Sequence, residues 1–154
     1  MAIERKNTEC YGVIQYNKSL RVTNTPRTLI DIAVRPGYCG GPLQIIQAYR
    51  KGLETVDGLN IARTLAKLKH TYPYHQIVGY YMEKAGFGAE HLDPLKRIPM
   101  NFDFYIDYQI VESLYSSTWQ LHYPAIWTII NESSSHLQYI YYNWDDLDQY
   151  NYSK

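Results

Sequence analysis

The chain has 154 residues, and 45% of them are apolar, which suffices for the core of one domain without disulfides or metals. Its 15 basic and 15 acidic residues give a formal charge of zero, which excludes a uniformly basic nucleic-acid coat protein and an acidic disordered chain. The 17 tyrosines and three tryptophans indicate a dense aromatic core or an aromatic interface.

The sequence predicts neither membrane insertion nor export. Its apolar runs fall far short of the roughly 20 residues that cross a bilayer. Charged Glu4, Arg5 and Lys6 stand where a signal peptide needs an apolar stretch, so we expect a cytoplasmic protein. Cys10 and Cys39 are then expected to be free thiols. The five histidines and two cysteines have no zinc-site spacing, so we expect no metal.

Charge is distributed unevenly along the chain. Residues 1–100 contain 14 Lys and Arg against 8 Asp and Glu, whereas residues 101–154 contain 1 against 7. The neutral total therefore combines a basic body with an acidic end. These parts can attract each other within the fold, or the body can meet an anionic partner for which the acidic end competes.

A hairpin is the first predicted element. The β-prone runs Tyr11–Tyr16 and Leu20–Thr23 flank a turn-like Asn-Lys-Ser cluster. Thr23 or Asn24 can then cap a helix with Pro26 in its first turn, where the missing backbone N–H is harmless.

This first helix is expected to end before Pro36. Arg27 and Asp31 lie four residues apart on it, a spacing that favours an ion pair. The apolar face comprises Leu29, Ile30, Ala33 and Val34.

The glycine-rich segment Arg35–Pro42 is predicted to be a loop between helices, since its glycines permit positive φ. Pro42 can begin a second helix that continues to Gly52. Unpaired N–H groups at this helix start could hold an anion. The segment lacks the glycine spacing and the ending of known phosphate loops, so we interpret it as a structural corner.

Two further helices and a helical turn follow. The third helix is predicted from about Leu59 to Lys69, and the fourth from Pro73 to Gly86, with Gly79 allowing a neighbour to approach closely. A short helical turn is expected around His91–Lys96. The predicted inward residues are Ile61, Leu65 and Leu68 in the third helix, and Ile77, Val78, Tyr81, Met82 and Ala85 in the fourth.

The outer face of the third helix is basic. Arg63 and Lys67 project away from its apolar residues, and Arg50 and Lys51 lie close by in the chain. We predict that these four residues form a contact surface for an anionic partner. The alternative is an ordinary solvated helix face.

Two strands are predicted late in the chain. In the run from Asn101 to Tyr108, apolar and polar residues alternate, with Phe102, Phe104 and Ile106 on the inward side. A second alternating run contains Trp119, Leu121 and Tyr123 and ends at Pro124. It can pair with the first strand or with the early hairpin.

These elements predict one α+β domain over residues 1–154, with about four helices packed on a small sheet formed by the early hairpin and two late strands. Residues 125–154 are predicted to be an aromatic and acidic C-terminal extension with a polar break over residues 131–136.

No segment contains a recognisable catalytic set. Asp103 and Asp107 could pair on a metal or in acid/base chemistry, but roughly 13 Å of strand separates them, which favours a solvated strand face. The serines before His136 lack the nucleophile elbow of serine hydrolases. His70 and His75 flank a loop and are expected to be surface or packing residues. We therefore expect no catalytic residue, no cofactor and no enzymatic activity.

Several motifs occur in series. They are LRVTNTPRTLID at 20–31, RPGYCGG at 35–41, YPYHQIVGYYMEKAG at 72–86, the strand at 101–108 and WQLHYP at 119–124. In order and spacing they resemble the C-terminal region of the AbiEi family of abortive-infection antitoxins, over residues 11–124. The resemblance implies a bacterial type IV toxin–antitoxin system and functional pairing with a nucleotidyltransferase toxin.

Family members typically place an N-terminal winged helix, which represses the operon, before this antitoxin domain. About 24 residues precede the first predicted helix here, whereas a helix-turn-helix DNA-binding domain needs roughly 50 residues or more. The resemblance therefore implies the antitoxic or regulatory C-terminal domain, without a catalytic motif. The other function that the residues leave open is a nucleic-acid- or partner-binding accessory protein that uses the basic helix face.

Overall fold

The computed structural model describes residues 10–106 and 112–125. Over these ranges the chain forms a two-stranded hairpin, five α-helices and a three-stranded sheet, which confirms the predicted α+β class. The hairpin and the late strands differ from expectation in one respect. Among the described residues they form two separate sheets, since the late strands pair with one another and not with the hairpin.

The hairpin consists of β1 (Val13–Gln15) and β2 (Arg21–Thr23), paired antiparallel as predicted. The Asn17 side-chain oxygen accepts hydrogen bonds from the backbone N–H groups of Ser19 and Leu20, which closes the turn. The backbone N–H of Asn24 donates to the Gly12 carbonyl at 2.7 Å, so the hairpin is held against the start of the first helix.

The helices are α1 (Thr25–Val34), α2 (Pro42–Gly52), α3 (Gly58–Leu68), α4 (His75–Ala85) and α5 (Ala89–Lys96). The Asn24 side chain caps α1, and a proline lies in the first turn of α1 and of α2, as predicted. Gly86, at φ 97°, ends α4. The expected helical turn at residues 91–96 is longer than predicted, because α5 has eight residues.

The loop before α2 contains a 3-10 turn over Pro36–Cys39. Gly40 and Gly41 have positive φ, as their lack of a Cβ allows.

The three-stranded sheet contains β3 (Phe104–Tyr105), β4 (Ser113–Ser116) and β5 (Leu121–Pro124) in the order β3-β5-β4. Strand β5 pairs parallel with β3 and antiparallel with β4. The sequence did not predict β4, whose Ser-Leu-Tyr-Ser run has little apolar pattern.

The first late strand is shorter than predicted. Its described part is limited to β3, and the Phe102 side chain is 73% exposed rather than inward. Trp119 is buried as expected but lies in the turn before β5. Asp107, the serines before His136 and the extension after residue 125 lie outside the described residues.

Helix α4 is central to the core. It packs against α1, α2 and α5, and the fully buried Tyr81 ring lies 5.8 Å from the Tyr49 ring of α2. The Tyr49 hydroxyl donates to the Leu29 carbonyl at 2.8 Å, which links α2 to α1. Burial raises the pKa of Tyr49, so this hydroxyl stays a donor.

The turn before β5 packs on α4 at Gly79, which allows the close approach predicted from the sequence. A Cβ on Gly79 would lie 2.1 Å from the Trp119 ring. The Trp119 indole N–H also donates to the Glu83 carboxylate at 2.8 Å. Among the described residues, no helix has the length and apolar character required to cross a membrane.

Candidate functional site

The four residues of the predicted basic surface are all exposed. Arg50 and Lys51 lie in the last turn of α2, and Arg63 and Lys67 lie one turn apart on α3. The ion pairs found within residues 10–106 and 112–125 are those of Arg27 and of His91, so they involve none of these four.

The four residues lie in two pairs, one at the end of α2 and one on α3, and the two helices have different neighbours. Helix α2 packs mainly on α1 and α4, whereas α3 packs on α1 and α5. Glu54 and Asp57 follow the α2 pair closely in the chain. No Asp or Glu occurs between Gly58 and Met82, so the α3 pair has no acidic neighbour along the chain.

Lys69 extends the α3 pair, and the sequence prediction did not include it. It caps the C-terminal end of α3 at φ 50° and is exposed. The absence of carboxylates around it was the signal in the sequence. We call Arg63, Lys67 and Lys69 the α3 basic face.

The predicted ion pair between Arg27 and Asp31 is confirmed. Arg27 Nε donates to both carboxylate oxygens of Asp31, at 2.8 and 2.9 Å. Arg27 Nη1 also donates to the Tyr11 carbonyl at 2.9 Å, which attaches the hairpin to α1. A Cβ on Gly12 would lie 2.8 Å from the Arg27 Cβ, so this junction requires glycine. Arg27 and Asp31, two of the three charged residues of the motif at 20–31, therefore have structural roles.

His70 and His75 are packing residues. His75 is the first residue of α4, within the predicted fourth helix, and it is buried, which agrees with the expected packing role. Burial lowers the pKa of His75 and is also the largest cause of the lowered pKa of His70. The nearby Arg27 charge lowers the pKa of His70 further, and Asp31 opposes it. Both rings therefore favour the neutral form.

Gln76 is an important residue that the sequence analysis missed. It is fully buried, and its side-chain amide donates to the carbonyls of Phe102 at 3.0 Å, Trp119 at 2.9 Å and Gln120 at 3.1 Å. It therefore fixes both segments that lead into β3 and β5 against the start of α4. A polar residue within an apolar helix segment was the available signal.

An aromatic patch lies at the start of α4. The Tyr74 ring has its centroid 6.0 Å from the Tyr72 ring and 5.7 Å from the Phe104 ring, both edge-on. Tyr72 is 58% exposed, and the backbone carbonyl of Phe102 accepts a hydrogen bond from Gln76, two residues after Tyr74. We call Tyr72, Tyr74 and Phe102 the aromatic patch.

Asp103 has a partner on the outer face of the sheet. It accepts a hydrogen bond from the Tyr115 hydroxyl at 2.9 Å, which raises the pKa of Tyr115. His122 stacks on Tyr105 with the ring centroids 4.3 Å apart, and its other side meets Tyr115. In the part of the chain that the structure describes, no group of three or more His, Cys, Asp or Glu is arranged to hold a metal.

The remaining predicted groups are the thiols and the glycine corner. Cys10 and Cys39 are free, as predicted. Burial raises the pKa of Cys39, which favours the unreactive thiol form. Helix α2 has no side-chain cap at Gly41, and a 3-10 turn precedes it.

Comparisons with protein-family models, with curated proteins and with solved structures find no match to this chain.

Proposed function

We propose that this chain is an antitoxin or regulatory domain that counteracts a nucleotidyltransferase toxin without catalysis of its own. The observation that carries the proposal is the ordered series of motifs that resembles the AbiEi family. Packing between these motifs supports it, because Tyr49 joins the carbonyl of Leu29 in the first motif to the ring of Tyr81 in the third. The motifs thus belong to one core rather than to unrelated segments.

The structural roles of the polar motif residues also support a non-catalytic function. Arg27 and Asp31 bind each other and the hairpin, and Asp103 binds Tyr115. These groups are engaged in holding elements together. The toxin would therefore be counteracted through a surface or through regulation.

Co-expression with the toxin encoded beside this chain tests the proposal. We expect growth to be restored while transcription from the operon stays unchanged. A matched control is the Tyr16→Ala variant, which alters a ring that is 71% exposed and lies outside the five motifs, and which should rescue equally. Unreduced killing in the presence of soluble, folded chain would contradict the antitoxin function.

The non-catalytic part is tested separately by assays for nuclease, nucleotidyltransfer and phosphatase activity with Mg²⁺, Mn²⁺ or Zn²⁺. We expect no turnover. Activity that follows the purified chain and disappears in Asp103→Ala or Asp107→Ala would show that the chain is an enzyme.

The second candidate is a nucleic-acid- or partner-binding accessory protein that uses the basic surface. Exposure of Arg50, Lys51, Arg63 and Lys67 favours it, together with the lack of carboxylates from Gly58 to Met82. Charge reversal distinguishes the contribution of the α3 pair from that of the α2 pair. The double variant Arg63→Glu, Lys67→Glu should reduce the activity that depends on an anionic partner. Arg50→Glu with Lys51→Glu is the matched comparison. Unchanged activity in both double variants would exclude the whole surface.

A further inference from the structure

The α3 basic face continues into the aromatic patch. Lys69 ends α3, and the next residue, His70, has its ring 5.0 Å from the ring of Tyr74. Tyr74 in turn contacts the Tyr72 ring. Cationic and aromatic side chains therefore follow one another over a short stretch of surface.

Two rings of the aromatic patch are exposed to solvent. Trp119 and Tyr49 are completely buried, but the Phe102 ring is 73% exposed although its backbone is fixed by Gln76. Tyr72 is likewise exposed beside a partly buried Tyr74. Two large rings are thus held at the surface on anchored backbone, which leaves their faces available for stacking.

The chain segment that carries the α3 basic face is basic, and Asp31, the acid whose charge acts on His70, is paired with Arg27. Arg63, Lys67 and Lys69 have no Asp or Glu near them in the chain from Gly58 to Met82. Asp103, the acid next to Phe102, is hydrogen bonded to Tyr115 of β4. A ligand that contacts the basic face and the patch would need both phosphate charge and flat apolar rings.

We propose that the α3 basic face and the aromatic patch bind single-stranded nucleic acid, with phosphates on Arg63, Lys67 and Lys69 and bases stacked on Tyr72 and Phe102. Single strands suit this pairing because their bases are free to stack on side chains, whereas the bases of a duplex already stack on one another. The proposal refines the second candidate function and rests on it, while the antitoxin function stands or falls independently.

Fluorescence anisotropy with the full chain tests the aromatic contribution. The probe is a labelled oligothymidylate of about 12 nucleotides, a length within the range that single-strand grooves bind, and the comparison is a duplex of equal length. Tyr72→Ala and Phe102→Ala should each weaken binding by about 5- to 150-fold, the usual effect of losing one stacked base. Tyr72→Phe keeps the ring and should bind within about twofold of the parent.

Tyr38→Ala is the matched aromatic control, because Tyr38 is 89% exposed on the 3-10 turn, away from α3 and the patch in the chain. It should bind like the parent. Equal losses in Tyr38→Ala and Tyr72→Ala would overturn the proposal, since they would indicate non-specific contact with exposed rings.

Salt dependence tests the charged contribution. Replacing Arg63 and Lys67 with Gln should reduce the slope of log affinity against log salt by about 1.4, since each lost phosphate contact on a single strand removes about 0.7. The Arg50→Gln, Lys51→Gln variant should keep the parent slope.

Three results would each overturn the proposal. The parent could bind the duplex more tightly than the single strand, or it could fail to bind the single strand at about 50 mM salt. The third is full affinity in both Tyr72→Ala and Phe102→Ala. If the parent fails to bind but still rescues growth, only this inference fails. If it binds as expected but does not rescue growth, the antitoxin function fails.

Discussion

Helices α3 and α4 have eleven residues each but very different surroundings. In α4, nine of the eleven residues are buried, whereas in α3 five are buried and the rest include Arg63 and Lys67. Helix α4 packs on three helices and on Trp119, while α3 packs on α1 and α5, and its Arg63 and Lys67 side chains are exposed among the described residues. Side chains of α4 are thus constrained by the fold, and function is better sought on α3.

The largest expected effect follows from removing the sheet-side partner of α4. Trp119→Ala deletes a fully buried ring that covers Gly79 and bonds Glu83, so we expect a loss of about 3–5 kcal/mol in the free energy of unfolding. Urea denaturation measures the change, and Trp119→Phe should retain part of the stability. A loss under about 1 kcal/mol in Trp119→Ala would show that the sheet is not integral to the α4 core.

A smaller effect is expected from adding one methyl group to α4. Gly79→Ala places a Cβ 2.1 Å from the rigid Trp119 ring, which should cost about 1–3 kcal/mol despite the better helix propensity of alanine. Gly37→Ala is the matched control because a Cβ there meets no atom within 4 Å. Equal thermal midpoints for the two variants would contradict the close contact.

Acid should weaken the start of α4. Burial lowers the pKa of His75 below the ordinary 6.5, so the unfolded chain takes up the proton more readily. The stability contributed by neutral His75 is complete above about pH 6.5 and is lost as the pH falls from there toward its folded-state pKa.

Unfolding experiments between about pH 7 and pH 5 measure this dependence. Stability should decrease on acidification, and the decrease should be smaller in His75→Asn. The same decrease in parent and variant would assign the acid sensitivity to other groups.

The smallest effect is expected on α3. Arg63→Glu with Lys67→Glu changes two exposed side chains, so stability should stay within about 0.5 kcal/mol per site. Thermal denaturation of the double variant beside Gly79→Ala measures the contrast between the helices. Destabilisation as large as that of Gly79→Ala would mean that the basic face is part of the packing.

Local chemistry in the sequence determined most of the helical architecture. Three local features predicted helix ends closely: Asn24 before Pro26, the proline at the start of α2, and Gly86 after α4. They did so because a capping side chain and the restricted φ of proline act within a few residues of the chain. The spacing of Arg27 and Asp31 predicted their ion pair for the same reason.

Only the tertiary structure decided which distant segments meet. It divided the strands into two sheets, exposed Phe102 and buried His75. It also directed the Gln76 amide to carbonyls 26 to 44 residues away in the chain. The spacing of apolar residues in the sequence shows which side of a helix or strand is apolar. It does not show which other element packs on that side. For that reason the exposure of Arg63 and Lys67 on α3 could be predicted from the sequence, whereas the aromatic patch could not.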